Sequence, residues 1–524
     1  MSELTPDPHL LEPTDDHDAD APDPRRWVTL GIVITAAFIV VLDNSILNVA
    51  IPTIMRDFDT TLPSLQWVVT GYALTFATFL IVGGRLGDVY GHRRIFIIGA
   101  ALFGVGSLIA ALSQGVPELV LGEAVIEGLG ASLMLPSTLA ILSGTFRGRE
   151  RVTAFAMWGA TAGVGAAFGP VIGGFLTTNY SWRWAFIINV IVAPIAIVGA
   201  MLFMKRGQRS ERQLSIDIPG AALIAVGMFL LVLALSEGGR YGWITPLQDF
   251  TIGNVVVWPE TAPIAITPVL IFISACVLYA FVRLERSKER RDASPLFEFS
   301  HLALPTFRNG LITAMVISMG QLGVVFVLPL FLQDGKHLTA AENGYWMLPT
   351  GLFIILGAQL GGRLGRRVGP TVVVRVGVAM EAIGIVLIAL VISPDITALH
   401  LVPGFAMYGM GIGFAAPQLT NVVLSQIPDR STGVASGANA TVRQVGSALG
   451  VAIIGALVTA QTAKHGLATG TQIALAFAAV VVGVGAVFSF MIPREVAPAD
   501  ADTERINAFE PLEPMDVPRS LIEQ

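Results

Sequence analysis

The chain has 524 residues, of which 53% are hydrophobic and 13% charged, and its mean hydropathy is +0.70. A soluble domain carries roughly a quarter of its residues as charges, so a soluble protein of this size is excluded. The formal net charge of −6 belongs largely to the two ends, and a lone cysteine, Cys276, leaves no intramolecular disulfide and no cysteine metal centre.

Residues 1–26 form an acidic, proline-containing tail, with Glu3, Asp7, Glu12, Asp15, Asp16, Asp18, Asp20 and Asp23, and no apolar periodicity. Such a segment is expected to be disordered. No basic stretch leads into a short apolar run with a cleavage site, so no removed signal peptide is expected. Apolar runs then follow at 27–49, 66–84, 95–113, 118–141, 152–175, 183–204, 218–236, 262–282, 310–332, 344–362, 371–392, 399–424, 433–460 and 470–491. Each is long enough to cross a hydrocarbon core of about 30 Å. A second acidic tail, 492–524, closes the chain and is also expected to be disordered.

Fourteen spans put both tails on one side. The loops on that side hold Arg93 and Arg94, Arg147 to Arg151, Lys205 to Arg212, Arg283 to Arg291, and Arg363 to Arg367, whereas the opposite loops hold only Arg56, Arg183, Arg240, Lys336 and Lys464. By the positive-inside rule both termini are cytoplasmic and the protein is a multi-pass protein of the cell membrane. The segment GGRLGDVYGHRRIFIIG (83–99) recurs as GGRLGRRVGPTVVVRVG (361–377), each copy following a span and entering the next. A repeat at matching addresses marks a duplicated bundle. Six spans fall in 27–206 and six in 309–491, and the segment 207–308 between them carries two inserted helices.

Several motifs in order resemble the major facilitator superfamily, in its branch of fourteen-span drug:proton antiporters. They are LDNSILNVAIP (42–52), GRLGDVYGHRR (84–94), GVGAAFGPVIGG (163–174), SWRWAFIIN (181–189), LPLFLQ (328–333) and GVASGANATVRQVGSALG (433–450). The resemblance implies an all-α integral membrane fold of 14 transmembrane helices, two six-helix bundles plus two inserted helices. One stretch departs from the family pattern. In GEAVIEGLG (122–130), Ala124 stands where the family's fourth-helix arginine is expected and Glu127 where a glutamine is expected, while Glu123 is an added carboxylate. A proton-transfer role for that arginine cannot be carried over.

A carboxylate inside a span is costly and marks a cavity or a partner. Asp43 and Glu127 each lie about nine residues from the outer end of their spans, roughly 13 Å deep at the helical rise. Glu123 and Glu127 are four apart and share a helix face. If that face meets Asp43, three acids crowd one apolar site and cannot all carry charge, so at least one holds a proton it can exchange for a cation. Asp43, Glu127 and Glu123 are therefore the proton-coupling candidates. The competing structural reading has Asp43 bonding Asn44, Asn48 or a helix partner.

Asn44, Asn48, Trp67, Tyr72, Met134, Trp158 and Arg443 are candidates to line the substrate cavity, with a structural role slightly favoured for Arg443. Glu381 lies in the eleventh span, expected at the periphery, where it would snorkel or pair locally. Asp88 can bind the positive N-terminus of a neighbouring helix, while Arg93 and Arg94 pair with acids or lipid phosphates. By resemblance these three form a conformational clamp, made one-sided because Arg366 replaces the acid in the second copy. Gly165, Gly169 and Gly173 recur every four residues beside Pro170, which gives a closely packable face and, by resemblance, a bundle interface.

No Walker loop and no HExxH pattern occurs. The expectation is thus a non-enzymatic, proton-coupled multidrug efflux antiporter, without metal or cofactor, driven by the proton gradient. Its partners would be a small amphipathic substrate, protons and membrane lipids, with no nucleic acid, and it would act as a monomer. The alternatives are a lipid or metabolite exporter on the same scaffold, or a transport-inactive membrane sensor or assembly partner.

Overall fold

A computed structural model describes residues 24–60, 62–205, 217–252, 255–291 and 295–493. Most of both tails and the linker residues 206–216 lie outside the described residues, and the expectation of disorder with them. Fourteen long helices run alternately up and down. The first six are α1 Arg26–Asp57, α2 Leu62–Tyr90, α3 His92–Leu112, α4 Val116–Thr145, α5 Gly148–Asn179 and α6 Trp184–Phe203. Next come α7 Ile218–Tyr241 and α8 Ile266–Arg290, joined through a short antiparallel hairpin, β1 Phe250–Ile252 with β2 Val255–Trp258. The last six are α9 Pro305–Gly335, α10 Ala340–Val368, α11 Pro370–Val391, α12 Ala398–Val423, α13 Thr432–His465 and α14 Leu467–Phe490.

Among the described residues, 13 of these helices are long and apolar enough to cross a membrane. The fourteenth, α5, has 32 residues and packs lengthwise against α1 and α10. Its many glycines and alanines let neighbouring backbones approach, the usual basis of helix association in lipid. The protein is an all-helical, fourteen-span membrane protein.

Helix boundaries follow local chemistry. Asp217 caps α7, its Oδ1 accepting from the Gly220 N–H at 2.9 Å. Thr339 and Glu342 form a reciprocal capping box that opens α10. The repeated loop ends in both copies on a glycine with positive φ, Gly91 at 94° and Gly369 at 89°. Only glycine takes this conformation without steric cost, so the two copies make the same turn between antiparallel helices.

Helices α1 to α6 pack together, as do α9 to α14. The bundles meet along two seams, α2 on α13 and α5 on α10, with α12 also touching α5. The repeat supplies one glycine to each seam. A Cβ on Gly84 would fall 2.1 Å from the Gly433 carbonyl oxygen of α13, and one on Gly362 would fall 2.7 Å from the Ala156 Cβ of α5. The inserted helix α7 lies over the α2/α13 seam, and α8 packs on α7.

Candidate functional site

Asp43 on α1 and Glu123 and Glu127 on α4 converge inside the first bundle, and all three are buried. Each offers one oxygen, and the three oxygens lie within 4.8 Å of one another. The α4 backbone there is not regular. Val120–Glu127 is π-helical, a wider turn that occurs mostly as a local insertion and often at functional sites. It turns both glutamates inward. Glycines on α3 and α4 hold the stretch in place: a Cβ on Gly106 would lie 2.6 Å from both the Glu127 nitrogen and the Gly122 carbonyl oxygen.

Asn189 on α6 joins the cluster. Its Nδ2 donates to Asp43 Oδ1 at 2.7 Å and to Glu127 Oε1 at 3.1 Å. Sequence reading did not single out Asn189, although it is an isolated polar residue in the otherwise apolar run of α6. Among the described residues no donor meets Asp43 Oδ2 or either oxygen of Glu123, and the Ser107 hydroxyl stands beside Glu127. Glu123 instead lies within bonding reach of both Asp43 and Glu127. Two carboxyl oxygens attract only when a proton or a cation sits between them. The arrangement is therefore suited to taking up protons, and its spacing would also admit a metal ion, which the sequence reading did not expect.

Ala124, in the position of the family arginine, packs on α2. A Cβ on Gly71 would lie 2.8 Å from the Ala124 Cβ. The contact leaves no room for an arginine, so the departure belongs to the packing of α2 on α4.

The other expected cavity residues lie on several helices of the two bundles. Met134 and Tyr72 are buried and Trp67 and Trp158 are half-buried, all within the main hydrophobic core. Tyr72 stacks on Phe76 at 6.0 Å. Asn44 and Asn48 have side chains outside the described set. Arg443 lies in the second bundle. Its Nη2 donates to the Ala416 carbonyl at 3.4 Å, and it stands in the field of Glu381 without a direct ion pair. Glu381 does not sit at the periphery as expected. It is fully buried because α11 turns that face toward α9, where Gln321 Nε2 donates to its Oε2 at 3.2 Å.

At the tail-bearing face, Asp88 reaches across to the start of α13. Its Oδ1 accepts from the Gly433 N–H at 2.8 Å and its Oδ2 from the Val434 N–H at 2.9 Å, and His92 Nε2 is 3.2 Å away. These amides belong to the first turn of α13, which has no intrahelical acceptors. Arg93 bonds carbonyls, donating to Ala200 at 3.0 Å and Met201 at 2.5 Å. It caps the C-terminus of α6 in the same bundle, where a cation is favoured. Arg94 is exposed.

The α5 glycines are corrected likewise. The atoms nearest a Cβ on Gly165 are those of Val41, and for Gly173 those of Ile46, both on α1 of the same bundle. Gly169 is buried, and the Pro170 side chain lies outside the described set. The seam with the second bundle is made further along α5, where a Cβ on Gly159 would lie 2.2 Å from Pro417 Cγ. Gly165 and Gly173 therefore close α5 on α1.

Two six-helix bundles meeting at paired seams, with buried charge inside, define a membrane transporter and not an enzyme. The Major Facilitator Superfamily model matches residues 33–451, and the chain belongs to that family, in the fourteen-span branch of drug-efflux transporters. It is 33% identical over 467 residues to the probable actinorhodin transporter of Streptomyces coelicolor, covering 86% of this chain and 77% of that one. It is 30% identical to the puromycin resistance protein pur8 of Streptomyces alboniger, covering 92% and 94%. The fold is shared with the human organic anion transporter MFSD10, at a TM-score of 0.63 and 14% identity over 89% of this chain and 100% of that one.

Proposed function

We propose that the chain is a proton-driven antiporter that exports small amphipathic compounds, lipophilic cations or neutral molecules, by alternating access. The observation that carries this reading is the buried trio of Asp43, Glu123 and Glu127, served by one amide donor, Asn189. Acids so placed hold protons when the site is empty and release them when a cation or a conformational change alters their surroundings. The relatives named for actinorhodin transport and puromycin resistance support export of amphipathic compounds. The proton gradient is the energy source, no cofactor is required, and the working unit is a monomer.

The basic loops support a cytoplasmic position for the tail-bearing face and both termini. The contact of Asp88 with α13 then closes the cytoplasmic side, so it acts as a clamp on the outward-facing arrangement. Opening inward requires those two charge-assisted bonds to break.

The test is proton movement in inverted vesicles, acidified inside, carrying wild type or Asp43→Asn and challenged with lipophilic cations and neutral drugs. Proton efflux triggered by a compound and absent from the variant is the expected result. A variant that retains full pH-dependent transport would remove Asp43 from the coupling site. A wild type that answers to no compound would move the reading to lipid transport or to a role without transport.

A further inference from the structure

The second copy of the repeated loop opens a cavity that nothing above uses. Arg149 at the start of α5 and Arg363, Arg366 and Arg367 at the end of α10 line one space of about 430 Å³. Arginines at the cytoplasmic ends of spans are expected from topology alone. Their convergence on one cavity goes further, because guanidiniums repel one another unless an anion sits among them. No carboxylate pairs with any of the four among the described residues. Arg366 donates to the Thr153 hydroxyl at 2.5 Å, while Glu150, next to Arg149, is bonded to Arg26 at 2.8 Å. The C-terminal dipole of α10 offsets only part of the charge of its last turn.

Arg363 and Arg367 also border a second space of about 350 Å³, whose other walls are Leu360, Leu364 and Phe414. A charged cavity thus runs into an apolar slot along α10, on the side toward the membrane interior. We propose that this composite groove is a binding site for an anionic phospholipid of the cytoplasmic leaflet. Its phosphate sits among the four arginines and part of an acyl chain lies in the Leu360, Leu364 and Phe414 slot. Basic pockets between spans on the cytoplasmic side suit such head groups, and the planar fork of arginine matches phosphate geometry. Since Arg149 belongs to one bundle and the other three to the second, a phosphate seated there bridges the α5/α10 seam. Asp88 bridges the α2/α13 seam on the other side. The inference rests on the cytoplasmic assignment of this face but not on proton coupling.

The test uses the full chain reconstituted in vesicles of equal phosphatidylcholine and phosphatidylglycerol, extracted in mild detergent, with the co-purifying lipids quantified by head group. Wild type should retain phosphatidylglycerol over phosphatidylcholine, and Arg363→Gln/Arg367→Gln should lower that ratio about tenfold or more. Arg290→Gln/Arg291→Gln, at the end of α8, should leave it unchanged. Because the readout is a ratio within each folded sample, loss of yield in a variant does not affect it. Equal retention of the two lipids by wild type would overturn the proposal. So would a wild-type preference stripped by inorganic phosphate, which would make the ligand a free anion. A preference appearing only after residues 1–23 are deleted would overturn it too, since the acidic tail would then be the natural occupant. A failed proton assay alongside a persistent lipid preference would sink the proposed function and leave this site standing.

Discussion

The two bundles both bury acid, but they compensate it differently. In the second, Glu381 accepts one amide bond from Gln321 at 3.2 Å and lies in the field of Arg443 without an ion pair, and its Oε1 has no donor among the described residues. In the first, three carboxylates share the amide of Asn189, with the Ser107 hydroxyl beside Glu127, and Asp43 Oδ2 and both oxygens of Glu123 have no donor among the described residues. Burying a charge is tolerated when it is paired and bonded. The second bundle sets one acid against the field of one arginine. The first sets three acids together with no cation beside them among the described residues, and under the proposed function that difference separates a structural acid from an exchangeable one.

The largest test of the contrast is Asp43→Asn. Removing a positioned proton carrier should lower compound-driven proton flux on the order of a hundredfold, with the protein still folded, because the amide keeps shape and hydrogen-bonding capacity. The corresponding change in the other bundle, Glu381→Gln, should leave the pH dependence of transport where it is. If both variants lose coupling equally, the distinction between the bundles fails. Asn189→Leu provides an independent check, since it removes the amide donor shared by Asp43 and Glu127 and should shift the pH at which transport is half-maximal without abolishing flux.

A similar asymmetry marks the repeated loop. The first copy spends Asp88 on the amides of Gly433 and Val434, and the second places Arg366 at the same address, bonded to Thr153. Both copies touch the opposite bundle, but only the first does so through a charge on a helix N-terminus. Hydrogen bonds to a charged group contribute about 1.5–3 kcal/mol each. Asp88→Asn, which keeps one acceptor, should therefore shift the conformational equilibrium about tenfold toward the inward-open state. Spin labels on α2 and α13 at the ends that carry Asp88 and Gly433 would report it as a longer distance. Arg366→Ala should move the same distance distribution far less, and an equal shift would contradict the one-sided clamp.

Much of this was legible before the structure. The spans, the duplication and the depth match between Asp43 and Glu127 follow from helical rise and hydropathy, which are local properties. The reach of Asp88 to a helix start was legible as chemistry, though not its recipient amides. What escaped depended on rotation about helix axes. The π-helical turn at Val120–Glu127 changes which way Glu123 points, and no spacing rule for a regular helix shows that. Gly165 and Gly173 revealed a close contact, but their partner, α1, is set by how the bundle closes. Glu381 was assigned to the periphery because its helix was, while its own face of α11 turns inward. Asn189 offered a signal, one amide in an apolar span, that only the neighbouring acids make meaningful.

A smaller effect is expected in the second bundle itself. Glu381→Gln removes the charge facing Arg443 and should destabilise the protein by about 1–2 kcal/mol, read as a lower melting temperature in detergent. Adding Arg443→Gln should recover part of that loss, because the remaining charge is then gone as well. No recovery would mean that Arg443 is held by the Ala416 carbonyl alone.

The smallest effect concerns an acid outside the spans whose donors are complete. Asp57, at the end of α1, accepts from Trp182 Nε1 at 2.9 Å and from Arg183 Nη1 at 2.8 Å, while the same guanidinium stacks over the Trp182 ring at 4.3 Å. The indole and guanidinium bonds hold its carboxyl below the usual carboxylate range. A group whose pKa is lower folded than unfolded stabilises the fold above the unfolded value and loses that contribution as pH falls through the folded one. The side chain is 47% exposed, so solvent screening keeps the contribution under about 1 kcal/mol. Asp57→Asn should therefore melt slightly below wild type at neutral pH, and the gap should close in acid once Asp57 itself is protonated. A gap that persists in strong acid would assign the contact to packing of Trp182 and Arg183. At this acid a proton removes the partner's reason to bind, whereas among Asp43, Glu123 and Glu127 a proton supplies the donor that the protein withholds.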